Sequence, residues 1–214
     1  MATPTTRPPS RPAWLHRVIP VLVLLALMWA SELLDLLTPL RLDGLGIRPR
    51  DPDGLVGIVL SPFLHLGLGH LLANTSGLLV LGALLAWTTR HLWLVTIGVV
   101  LLGGAAVWLL GDARTVVIGA SGIVYGYAAF LAIYGFAARR VLPVVVSLGV
   151  IALYGGLVWG VLPLRPGVSW QGHLFGALVG AVLALWLGRR ERAAGLQAGR
   201  PARVSARAPG ARDR

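Results

Sequence analysis

Val117-Ile-Gly-Ala-Ser-Gly-Ile-Val-Tyr-Gly-Tyr-Ala-Ala-Phe130 decides how the rest of the chain is arranged. A serine stands between glycines where the polar loop Gly111-Asp-Ala-Arg-Thr115 gives way to an apolar helix. Ser121 and Tyr125 are four residues apart and share one helix face, as do Gly122 and Gly126. Each feature has an ordinary structural role. A serine at a helix start caps exposed backbone N–H groups, and small residues four apart let membrane helices approach closely. Whether Ser121 is a cap or a nucleophile depends on what else the chain brings to it.

Composition fixes the solvent. Of 214 residues, 56% are hydrophobic and 13% charged, with a mean hydropathy of +0.77. Soluble domains carry about 25% charged residues, so this is an integral membrane protein. The absence of cysteine excludes a disulfide framework, a thiolate nucleophile and a Cys-ligated metal. All nineteen basic residues are Arg, which excludes Schiff-base chemistry and a Ser–Lys pair. The net charge of +11 does not call for nucleic acid, because the arginines gather in tails and short loops, where a membrane accounts for them.

Apolar runs predict six spans: about Val18–Leu37, Leu68–Trp87, Leu92–Leu110, Ser121 to the residues before Arg139, Val141–Leu162 and Trp170–Leu187. The expected fold is an all-α integral membrane six-helix bundle over residues 18–188. Residues 1–17 and the Arg-rich 189–214 are expected to be disordered tails. The connection from Pro39 to about Gly69 is too short in its apolar half to span, and it reads as an interfacial first loop. Six spans put both termini on one side, and that side holds fourteen arginines against five on the other. The positive-inside rule makes it the cytoplasmic side of a multi-pass plasma-membrane protein. Ser121, His70 and His173 then lie toward the opposite face.

Polar groups inside spans are costly, so they face a protein interior or a cavity. His70 and Asn74 are four apart and present donors to one spot. His173 lies on a helix whose Gly172, Gly176 and Gly180 repeat every fourth residue, matching the Gly122/Gly126 face. Packing through those glycines brings Ser121 and His173 together, each near the start of its helix. A serine needs a general base within hydrogen-bond reach, and His is the usual one. The backbone N–H groups at the helix start, with His70 and Asn74, can serve a developing oxyanion. No carboxylate is placed to complete a triad, since Asp112 lies in a loop, so the expected arrangement is a dyad with Tyr125 packing on the imidazole. Position 123 is Ile, so Gly119-Ala-Ser-Gly122 is not the soluble hydrolase elbow. His65 and His70 are five apart, off a shared helix face, so a metal site is not expected.

These residues resemble the rhomboid intramembrane serine proteases over about Val18 to Leu187. The family's Gly-x-Ser-Gly motif appears as Gly119-Ala-Ser121-Gly122, with Tyr125 at the expected position. His-x-x-x-Asn appears as His70-Leu-Leu-Ala-Asn74, preceded by His65 where the family has a further histidine. His-x-x-Gly-x-x-x-Gly appears as His173-Leu-Phe-Gly176-Ala-Leu-Val-Gly180. The resemblance implies cofactor-free hydrolysis of peptide bonds in or near transmembrane segments of membrane-protein substrates, by a Ser-His dyad through an acyl-enzyme. It implies Ser121 as nucleophile, His173 as base, and His70, Asn74 and the N–H groups of Ser121 and Gly122 as oxyanion hole. Gly126, Gly176 and Gly180 are expected to pack helices, Leu164–Val168 to act as a lid, and the fifth span as a lateral gate. Gly172 stands where many members have Ala, and the Trp-Arg pair of some members' first loop is absent. A catalytically silent relative that binds or remodels transmembrane clients is the alternative reading.

Overall fold

The computed structural model describes residues 15–164 and 167–198. Of the expected tails, residues 1–14 and 199–214 lie outside the described residues, as does the centre of the expected lid at 165–166. Residues 15–17, expected in the N-terminal tail, form a 3-10 turn with Val18 that leads into the first span. The described chain is helical apart from its loops and one isolated antiparallel bridge between Ile47 and Val117. Six of its helices are long and apolar enough to cross a bilayer. They are Ile19–Leu37, Leu68–Thr88, Leu92–Leu110, Ser121–Ala138, Val141–Tyr154 with its 3-10 continuation Gly155–Val161, and Trp170–Ala198. They are the first to sixth spans below. The chain is an all-α, multi-pass membrane bundle.

The fourth span is the axis. Ile123, Tyr127, Phe130, Leu131 and Tyr134 are all buried along it. Tyr127 meets its polar obligation inside the bundle, its hydroxyl lying 2.6 Å from Thr96 Oγ1 on the third span. The sixth span packs on the fourth through backbone contact. A Cβ added at Gly176 falls inside contact distance of the Gly122 carbonyl, and one at Gly180 meets Gly126 in the same way. Apolar side chains gain little by leaving lipid for protein, so close backbone approach is what helix pairing in a bilayer draws on.

Two local features depart from the sequence expectation. The third span carries a π-helical segment, Val99–Gly103, where Val99 packs on Gly126 and Gly103 faces Gly176. The sixth span does not end near Leu187; its helix runs on to Ala198. The expected disorder from 189 is therefore corrected for residues 189–198. Glu191 gives that extension an anchor: its carboxylate accepts from Tyr134 Oη at 2.6 Å and lies 3.0 Å from His91 Nε2.

The first loop is folded onto the bundle. The backbones of Ile47 and Val117 exchange hydrogen bonds of 2.9 Å, and Trp108 Nε1 donates to the Asp51 carbonyl at 2.9 Å. Arg50 donates to the Gly111 carbonyl at 2.7 Å, closing the loop over the end of the third span. Gly119 N–H donates to the Ser61 carbonyl at 2.8 Å, so the loop also holds the residues leading into the fourth span.

Candidate active site

Ser121 is the first residue of the fourth span, and Ala120, not Ser121, occupies the capping position. No side chain caps this helix. The capping role that the sequence offers Ser121 is therefore not used. Its hydroxyl turns instead to the sixth span, where Oγ donates to His173 Nε2 at 2.9 Å. The glycine contacts between these spans set that distance, because larger residues at 176 and 180 would hold the two helix starts apart.

The other imidazole nitrogen is also engaged. Nδ1–H donates to the Gly160 carbonyl at 2.8 Å, from the 3-10 segment that ends the fifth span. That bond fixes the proton on Nδ1 and leaves Nε2 as the acceptor facing Ser121. The Tyr125 ring stacks on the imidazole, centroids 4.0 Å apart and planes 5° from parallel. Gly160 has no room for a side chain, since a Cβ there would fall on the Tyr125 hydroxyl. His173 is thus held on a face by Tyr125 and at an edge by Gly160, and it is buried. The residue pattern points to packing by Tyr125 and not to Gly160, because a backbone acceptor leaves no mark in it.

His70 and Asn74 converge on the same spot. Gly119 has φ +105°, a conformation that only glycine adopts readily. A Cβ built on it would lie 2.7 Å from His70 Cε1, 2.8 Å from His70 Nε2 and 3.4 Å from Asn74 Nδ2. The bare Cα of Gly119 therefore lets both side chains close in, two residues before Ser121. Asn74 is buried, and its Nδ2 has no hydrogen-bond partner among the described residues. A buried unpaired donor is costly to keep, on the order of 1–3 kcal/mol, and such groups are found where a ligand or reacting group completes the bond. Among the described residues the backbone N–H groups of Ser121 and Gly122 have no hydrogen-bond partner, which leaves two further donors at this helix start.

His65 stands behind His70, ring edge against ring at 5.0 Å, with Nδ1–H donating to the Phe63 carbonyl at 3.3 Å. Burial above all, with the neighbouring His70, pushes its pKa down to about 4, while the Phe63 carbonyl opposes the shift. His65 is therefore neutral near pH 7 and braces His70. Among the described residues no three His, Cys, Asp or Glu side chains converge.

Two spaces lie nearby, one beside Ser121 and one reaching Tyr125. A cavity of about 40 Å³ bordered by Ser61, Gly103, Ser121, Ser169 and Gly176 is large enough for a water molecule with several polar neighbours. A wider apolar cleft of about 370 Å³ lies between the fourth, fifth and sixth spans, floored by Ala128, Ala132, Ala177 and Ala181 and reaching Tyr125.

Comparison with known proteins agrees with this architecture. The Rhomboid domain family model matches residues 52–190. Uncharacterized proteins of Mycobacterium tuberculosis and Mycobacterium bovis are each 42% identical over 202 residues, covering 90% of this chain and 84% of theirs. An uncharacterized protein of Mycobacterium leprae is 42% identical over 199 residues, covering 88% of this chain and 78% of its own.

Proposed function

The chain belongs to the rhomboid family, and from that membership we propose that it is an intramembrane serine protease, a serine-type endopeptidase acting on transmembrane protein substrates. The observation that carries this reading is the 2.9 Å hydrogen bond from Ser121 Oγ to His173 Nε2. A catalytically silent relative has no need of a histidine whose two ring nitrogens are both committed, one to a serine and one to a tautomer-fixing carbonyl.

The chemistry follows from the geometry. Ser121 Oγ attacks the scissile carbonyl carbon as its proton passes to His173 Nε2. The imidazolium that forms keeps its Nδ1–H on the Gly160 carbonyl, which stabilises the positive charge where a triad would use a carboxylate. The carbonyl oxygen becomes an oxyanion facing Asn74 Nδ2, the His70 imidazole and the N–H groups of Ser121 and Gly122. His173 returns its proton to the leaving amine as the C–N bond breaks, leaving an acyl group on Ser121. A water held in the cavity beside Ser121 then loses a proton to Nε2 and attacks the ester carbonyl. The acyl C–Oγ bond breaks as Nε2 returns the proton to Ser121 Oγ, and the carboxylic acid product leaves. No step calls for a cofactor.

The arginine distribution supports an orientation with both termini in the cytoplasm and Ser121 toward the extracytoplasmic face of the plasma membrane. The fifth span and the chain linking it to the sixth are then the route by which substrate reaches the dyad.

The test is cleavage of a model transmembrane substrate by purified protein in liposomes. Ser121→Ala and His173→Ala are each expected to abolish cleavage while the helical circular dichroism is unchanged. Cleavage that persists in either folded variant would refute the dyad. A folded wild type that cleaves none of a broad panel of transmembrane segments would favour the client-binding alternative.

A further inference from the structure

At the end of the bundle opposite Ser121, a crevice of about 680 Å³ opens among the ends of the first, second, fourth, fifth and sixth spans. Arg17, Arg90 and Arg140 line it, with Glu191 as its single acid. That carboxylate is already occupied. Its oxygens take Tyr134 and His91 at 2.6 and 3.0 Å, while Arg140 Nη1 stands 3.8 Å away. Among the described residues neither Arg17 nor Arg90 has an ion pair or a side-chain hydrogen bond. Three guanidinium groups around one engaged carboxylate leave the recess with surplus positive charge.

The rim has the opposite character. Trp87, Val141 and Leu142 border the same crevice and expose apolar side chains. Trp87 lies in the last turn of the second span and Val141 opens the fifth, so this rim sits where the hydrocarbon meets the headgroup layer. A basic recess with an apolar flank at that depth matches an amphipathic anion better than a free one.

We propose that this crevice is a binding site for an anionic phospholipid. Its phosphate is held between Arg17 and Arg90, whose planar guanidinium groups suit two-point contact with phosphate oxygens. Its acyl chains run along Trp87 and Leu142. Charge complementarity commits the site to an anionic headgroup, and the apolar rim commits it to a lipid and not to inorganic phosphate. One bound headgroup would tie the start of the first span to the turn between the second and third, bracing the bundle remote from the dyad. The site is independent of whether Ser121 cleaves anything.

Native mass spectrometry of the full chain in mild detergent tests this, with phosphatidylglycerol, phosphatidylcholine or inorganic phosphate added in separate arms. Wild type is expected to retain phosphatidylglycerol in preference to phosphatidylcholine. Arg17→Gln with Arg90→Gln is expected to weaken that retention by on the order of 10-fold or more. A charge-matched control, Arg189→Gln with Arg192→Gln, removes two exposed arginines that do not line the crevice and is expected to retain the lipid. Equal loss in both variants would reduce the effect to diffuse surface charge and overturn the site. Displacement of the lipid by millimolar phosphate, or a phosphate adduct in place of lipid, would overturn the commitment to phospholipid. Should the double variant fold poorly by circular dichroism, Trp87→Asp tests the apolar flank, and undiminished retention there would overturn the proposal.

Discussion

The Gly160 carbonyl stands 2.8 Å from His173 Nδ1, in the position where a soluble serine protease places its carboxylate. A carbonyl carries no formal charge, so it costs far less to bury in a membrane protein than an aspartate does. It fixes the tautomer, and on the proposed mechanism it would also accept from the imidazolium. Because it belongs to the 3-10 segment Gly155–Val161, the alignment of the base depends on where the end of the fifth span lies.

Gly160→Ala therefore disturbs the base without touching Ser121. A Cβ at that position falls on the Tyr125 hydroxyl, so the Tyr125 ring must shift and the imidazole stacked on it loses its support. The expected result is a fall in kcat of about 10- to 100-fold with little change in KM. Steady-state kinetics in liposomes reads it, and an unchanged kcat would mean that Gly160 has no positioning role.

Asn74→Ala separates catalysis from stability. The side chain is buried, yet its Nδ2 bonds to nothing among the described residues. On the proposed mechanism its loss removes one oxyanion donor and is expected to lower kcat by roughly 100-fold or more. Because no internal hydrogen bond of Nδ2 is lost, the thermal midpoint is expected to stay close to wild type. A large drop in midpoint would show instead that Asn74 serves the fold.

The glycine contacts between the fourth and sixth spans make a packing prediction. Gly176→Ala and Gly180→Ala each drive a methyl into the backbone of the fourth span and are expected to destabilise by about 1–3 kcal/mol. Gly195→Ala, with nothing within 4 Å of its Cβ on the same helix, is expected to stabilise slightly. Thermal or denaturant unfolding in detergent ranks the three, and equal effects would contradict backbone packing at 176 and 180.

His65 gives the site a pH dependence. Its pKa is about 4 when folded, against an ordinary value of 6.5. Between those values the unfolded chain binds more protons than the folded one, so stability falls as the pH is lowered from 6.5 toward 4. His65→Phe is expected to flatten that part of the stability curve. A variant with the same acid sensitivity as wild type, from melts at pH 7 and pH 5, would assign the effect elsewhere.

How much of this was legible in the residues follows from what each signal measures. Hydropathy reports runs of apolar side chains, and it placed six spans whose cores match the helices. Four-residue spacing reports a shared helix face, and it set His70 beside Asn74 and aligned Gly176 and Gly180 toward the fourth span. Those signals are local and concern side chains. The Gly160 acceptor is a backbone group, the π segment at Val99–Gly103 is a hydrogen-bond register, and the orphan Asn74 donor is a statement about neighbours. None of them has a letter in the sequence. The extension of the sixth span to Ala198 did leave a trace, the lone acid Glu191 among Arg189, Arg190 and Arg192, but its partners His91 and Tyr134 are distant in the chain.

The central claim is that Ser121 is a nucleophile activated by His173, and covalent labelling reads it most directly. Purified full-length protein in detergent is treated with a serine-directed fluorophosphonate, and the adduct is located by peptide mass spectrometry. A single adduct on Ser121 is expected in the wild type, with its loss in folded His173→Ala. A folded wild type that takes no label at Ser121, or a His173→Ala variant labelled as fast as wild type, would contradict it.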